Sequence, residues 1–128
     1  MATPYSAFRA AIEAKDIDAA VALFRADAVF NSPVVHKPYQ GIPALHAILS
    51  AVVQVFEDFR YTAEHGADDG RGGGDGHVLE FAARVGDREL QGVDILRSVD
   101  GVLTELTVMV RPYSAATALR ERMAALLT

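Results

Sequence analysis

Between Arg88 and Pro112 the chain reads RELQGVDILRSVDGVLTELTVMVRP, and this stretch restricts the possible folds more than any other. Asp100-Gly101 in its middle tolerates the positive φ angles of a tight hairpin turn, so the stretch is expected to form two long strands joined there. In the second arm Leu106, Val108 and Val110 alternate with Glu105, Thr107, Met109 and Arg111, the two-residue period of a half-buried strand. The first arm breaks its pattern at Asp94, which sits between Val93 and Ile95 and shares a face with Leu96. A carboxylate on an apolar strand face is costly unless it is paired, hydrogen-bonded or protonated. Asp94 is therefore the leading chemical candidate.

The rest of the chain supplies helices before this hairpin and one after it. Thr3-Pro4 reads as an N-cap with proline at the first helical position, and Tyr5, Phe8 and Ile12 then share a helix face. Asp16 is expected to cap a second helix carrying Ile17, Ala20, Val21 and Phe24 on one side. Residues 27–32 read as a short strand ended by Pro33, and 34–41 as a loop. A longer helix starts at Ile42, with Leu45, Ile48, Leu49, Val52 and Phe56 as its buried stripe. Strands are expected over 59–65 and 78–85, separated by the glycine-rich run DDGRGGGDG at 68–76, which is expected to lack regular structure. Ser114 is positioned to cap a last helix with Leu119, Met123, Leu126 and Leu127 along one stripe.

This order implies one α+β domain over residues 1–128, with helices on one face of a mostly antiparallel sheet. Curling that sheet over the long helix leaves a cone with an open mouth, its inner wall carrying Tyr61, Phe81, Leu96, Val108, Val110 and Asp94. An apolar hollow with one or two polar groups is the default ligand site.

Composition narrows the partners. Twelve basic against seventeen acidic residues give a net charge of −5 without a basic cluster, which argues against nucleic acid and anionic membranes. The chain has no cysteine, so disulfides, thiol chemistry and thiolate metal sites are excluded. Its four dispersed histidines lack the spacing of a metal-ligand set. The charged N-terminal stretch lacks the apolar core of a signal peptide, and a soluble cytoplasmic protein is expected.

Three further patterns, AKDIDAAVALFRADAVFNSP over 14–33, the long helix behind Gly41, and VDILRSVDGVLTEL over 93–106, resemble the SnoaL-like branch of the nuclear transport factor 2-like superfamily. The resemblance spans about residues 5–111. It implies a cystatin-like, cone-shaped α+β barrel, often a homodimer, whose relatives include ketosteroid isomerases, polyketide cyclases, epoxide hydrolases, dehydratases and non-enzymatic binders. It implies no cofactor. Set against the ketosteroid isomerases, Asp94 matches the protonated aspartic acid that helps bind the oxyanion, for which that enzyme is the standard illustration. Ser32 stands where those enzymes carry their general base, and Phe8 where they carry an oxyanion-binding tyrosine. A serine cannot remove a carbon-bound proton unaided, so the resemblance does not imply steroid isomerisation. The Arg-x-Asp arrangement of limonene epoxide hydrolases is also missing.

The expected site therefore has Asp94 as hydrogen-bonding acid and His36, in the loop VVHKPYQG, as a possible second catalytic group. Ser32, Phe8, Phe30, Tyr39, Phe56, Tyr61, Phe81, Leu96, Val108 and Val110 are the expected ligand contacts. The alternative keeps Asp94 structural, in a binding or dimerisation module without catalysis. Val93, Ile95 and Met109, on the outer sheet face, are the expected seat of a dimer contact.

Overall fold

The structure, a computed structural model, describes residues 3–68 and 75–127. Thr3 caps α1 (Pro4–Glu13) in a reciprocal capping box with Ser6, which satisfies backbone groups at the helix start. The Asp16 carboxylate accepts from the Ala19 N–H and so opens α2 (Ile17–Val21). The helix ends sooner than its sequence period suggests. Phe24 belongs instead to β1 (Phe24–Asn31), where it pairs with Leu103, and Leu103 N–H donates to the Leu23 carbonyl. Ladder hydrogen bonds there outweigh the apolar repeat.

After β1 the chain turns at Pro33 and returns as β2 (Tyr39–Gln40), a two-residue strand inside the segment expected to be loop. Its partners are Phe30 and Val29 of β1. The long helix α3 (Ile42–Val55) buries Leu45, Ile48, Leu49, Ala51 and Val55; Phe56 lies just beyond it in extended backbone. Then come β3 (Glu57–Asp68), β4 (Asp75–Val85), β5 (Arg88–Val99) and β6 (Val102–Arg111). Asp68, Asp75 and Gly76 are thus in strands, contrary to the irregular run expected for 68–76, while 69–74 lie outside the described residues. Asp100 and Gly101 have φ of 52° and 79°, the paired positive angles of the expected turn. In α4 (Tyr113–Leu127) the first turn is closed by the Pro112 carbonyl, which accepts from Ala115 and Ala116 N–H; Ser114 lies inside the helix rather than capping it. Leu119 and Met123 are buried, but Leu126 and Leu127 are exposed.

The strands form one open sheet in the order β2-β1-β6-β5-β4-β3, antiparallel except for the β1–β6 pair. The sheet curves around the helices, so that Phe30 of β1 and Tyr61 of β3, with β6, β5 and β4 between them, face one hollow. Across β4 the Tyr61 hydroxyl on β3 lies 2.8 Å from Asp94 on β5. The helices pack on the concave side. Tyr5 of α1 bonds Ser98 near one end of β5, and Arg122 of α4 lies beside Gly86 near the other. Phe8, Leu45, Leu79, Leu96, Leu103 and Leu106 fill the core between helices and sheet. No helix among the described residues is long and apolar enough to cross a membrane.

Candidate functional site

Between these layers the fold leaves a cavity of about 950 Å³. That is the upper end of the ~300–1,000 Å³ range of small-molecule sites. Strand alternation turns Asp94 and Val108, which pair across β5 and β6, into it from the sheet. Phe8 and Ile12 line it from α1, Ile48, Leu49 and Val52 from α3, and Leu119 and Met123 from α4. The walls are mostly hydrocarbon, with Glu13, Lys15, Gln54, Glu57, Asp58 and Arg120 also bordering the space.

Asp94 is the buried carboxylate of the lining. It is 7% exposed, and its Oδ2 accepts a 2.8 Å hydrogen bond from Tyr61. Burial pushes its carboxyl up to about 7, because the ionised form has lost its water; the Tyr61 hydrogen bond, which favours the ionised form, opposes this. The Tyr61 phenol is driven above its ordinary value, first by burial and then by the neighbouring Asp94 charge, so it stays protonated and serves as donor. Its ring is boxed by Phe59, edge-on at 4.9 Å, by Phe81, edge-on at 6.5 Å, and by the Arg9 guanidinium 5.5 Å from its centroid.

Phe81 reaches this position because Gly92 opposes it on β5. A Cβ at Gly92 would run into the tip of the Phe81 ring and lie 2.6 Å from the Met109 carbonyl oxygen. The missing side chain lets the ring lie across β5 and pack, tilted, against Phe56 and Phe59 of the cavity wall.

The expected site residues therefore divide. Asp94, Ser32, Phe8, Phe30, Tyr39, Phe56, Tyr61 and Val108 all line the cavity. Phe81 and Leu96 are buried behind it, and Val110 is half-buried away from it. His36 corrects the expectation of a catalytic pair: it is exposed on the loop between β1 and β2, away from the lining, so the fold does not bring it to Asp94. That loop places Pro33, Val34 and Val35 against the hollow instead. Ser32 lines the cavity, but its hydroxyl accepts from the N–H groups of Val34 and Val35, holding the turn. The other histidines bond exposed acids: His46 to Asp18, His65 to Glu80 and His77 to Glu64.

The α4 contribution was legible as an apolar stripe but not as cavity wall. Arg9 carried no signal of a role beside Tyr61. Its position one residue after Phe8 places it on a different side of α1, facing β3, where Glu64 also takes its guanidinium.

A curved sheet over a long helix, hollow inside, with one aspartate on the inner wall, can be set beside known proteins. The model of the SnoaL-like domain matches residues 5–106. The chain belongs to the SnoaL-like family. This SnoaL-like chain is similar to the crystal structure of a steroid delta-isomerase from Pseudomonas aeruginosa, with 43% identity, a TM-score of 0.88, and 97% of this chain and 88% of that one covered. A protein with a cystatin-like fold from Silicibacter pomeroyi DSS-3 is 30% identical with a TM-score of 0.83, covering 95% of this chain and 83% of its own. A protein with a ketosteroid isomerase-like fold from Catenulispora acidiphila, solved in complex with trimethylamine, shares the fold at 15% identity and a TM-score of 0.66, covering 90% and 89%. No curated protein gives a significant match. The SnoaL-like chain thus has an isomerase-like, small-molecule-binding fold.

Proposed function

We propose that the protein binds an apolar molecule bearing a carbonyl or hydroxyl group and moves a proton on it through Asp94, without a cofactor. The observation that carries this reading is the Asp94 carboxyl on the wall of a large apolar cavity, held by Tyr61 and poised near 7. A carboxyl that titrates near working pH serves both directions of proton transfer. Protonated, it donates to a ligand oxygen. Ionised, it takes a proton from carbon beside a carbonyl and returns it elsewhere on the same molecule, so an isomerisation, cyclisation or dehydration balances with no added reactant. The steroid delta-isomerase from Pseudomonas aeruginosa, at 43% identity, supports an enolisable ketone as the first compound to try.

The test is to incubate the protein with a β,γ-unsaturated ketosteroid in deuterated water and follow both conjugation and deuterium uptake. Turnover with uptake by the wild type, and its loss in Asp94→Asn, is expected. Uptake unchanged in Asp94→Asn would remove Asp94 from the reaction.

A second reading rests on Ser32. At the position where related isomerases carry a base, this chain has a hydroxyl already engaged with the Val34 and Val35 N–H groups. Binding without proton exchange follows if Asp94 only hydrogen-bonds the ligand. Saturable binding with no deuterium uptake would establish that reading over the first.

For the outer sheet face the same reading adds a second copy of the chain. Val93 and Ile95, both half-buried, and Met109, 55% exposed, form cross-strand neighbours there that a dimer contact would cover.

A further inference from the structure

Arg9 is a surface-facing side chain with more engagements than a solvated helix face requires. On its own helix it meets Glu13, with Nε 3.6 Å from Oε2, and on β3 it grips Glu64. Glu64 is in turn bonded by His77 of β4 at 3.0 Å, and His77 stacks flat on Tyr5 at 4.6 Å. The charged face of this assembly is exposed, but its inner edge is the ring of Tyr61, whose hydroxyl ends on Asp94. A swing of the whole Tyr61 side chain about its Cα–Cβ bond would take the hydroxyl off Asp94 Oδ2, so a contact that holds the side chain in place also holds the acid.

We propose that Arg9 is the positioning residue of the cavity acid, its guanidinium clamped by Glu64 and Glu13 against the face of Tyr61 so that the phenol hydroxyl stays on Asp94. The proposal rests on the functional reading of Asp94 given above. Two physical effects act together. A planar cation over an aromatic face is attracted to it and restricts the ring. The same positive charge draws electron density from the phenol and makes its O–H a better donor, in line with Arg9 lowering the affinity of Tyr61 for its proton. The remaining charges near the pair belong to α1 and β3: Glu13 opposes Arg9 in its effect on Tyr61, and Glu64 holds the guanidinium. From α3 the cavity is lined by the uncharged Ile48, Leu49 and Val52, and from α4 by Leu119, Met123 and the charged Arg120; Lys15, Glu57 and Asp58 also line it.

The experiment reads the titration midpoint of the Asp94 carboxyl by carbon-13 NMR in aspartate-labelled protein, assigned with Asp94→Asn. Arg9→Met keeps the apolar stem and removes the cation. The midpoint is expected to rise by about half a pH unit, as a weakened Tyr61 bond stabilises the ionised form less. Arg9→Lys keeps the charge but loses the planar fork, and a smaller rise in the same direction is expected. The deciding comparison repeats Arg9→Met in a Tyr61→Phe background. With the hydroxyl gone, Arg9 has nothing to position, and no further movement of the midpoint is expected. A rise of equal size in both backgrounds would mean that Arg9 acts on Asp94 merely as a nearby charge, and would overturn the proposal. So would an unmoved midpoint in Arg9→Met, or, should that variant not fold, in Arg9→Lys. A wild-type Asp94 that titrates in the ordinary carboxylate range would overturn the functional reading and this proposal with it; an ordinary response to Arg9 from an acid that does titrate near 7 would overturn this proposal alone.

Discussion

Each face of β5 carries an exception to the usual arrangement of a half-solvated strand. Its concave face carries Asp94 among Leu90, Leu96 and the cavity, while its convex face carries Val93 and Ile95. Across the same sheet, ion pairs follow the exposure: Arg84 meets Glu57 and Asp58 in water, whereas Asp94 has a neutral phenol and, among the described residues, no paired cation. The contrast shows where free energy has been committed. Exposed pairs are screened and contribute little. A buried acid with a single phenol partner lowers stability when ionised, which is the cost the proposed function has to offset.

Four measurements would break or sharpen this contrast. Asp94→Asn should lower turnover of an accepted ligand by about a hundredfold or more, the usual contribution of a positioned acid or base. Steady-state rates check it, and an unaffected rate would make the inner face as inert as the outer.

The next effect is on stability. The folded carboxyl holds its proton to about pH 7, whereas the unfolded one releases it near the usual ~3.9. Between those values the folded state binds more protons, so its stability falls as pH rises and levels off above 7. Relative to Asp94→Asn, the wild type should match at pH 4 and lose up to about 4 kcal/mol by pH 8. Urea unfolding at a series of pH values checks this; parallel curves for the two proteins would put Asp94 in water-like surroundings.

On the convex face, Val93→Lys should convert a dimer into a monomer in light scattering while leaving ligand binding intact. A wild type that is already monomeric would remove assembly from the comparison. The smallest change is expected for Arg84→Ala, whose ion pairs are solvated and whose loss should leave the unfolding midpoint nearly unmoved in the same urea series.

Local physics made much of the fold readable in advance. The hairpin at Asp100-Gly101, the Thr3-Pro4 helix start, the α3 stripe and the inward turn of Asp94 each follow from residues a few positions apart. What could not be read depends on how distant segments meet. Phe24 fits the helical period of α2 but gains more from pairing with Leu103, seventy-odd positions along. The Tyr61–Asp94 bond joins two strands that are not neighbours, and no strand pattern states which side chains meet across a third. The direction of the loop over 34–38, which carries His36 outward, is set by packing of Val34 and Val35 on the cavity rather than by any motif.

The wall supplied by α4 has a consequence for the guest. Leu119 and Met123 close part of the hollow from a helix, while Asp94 stands on the sheet. Changes at those two positions can therefore reshape the room for a guest without touching the strand that carries the acid.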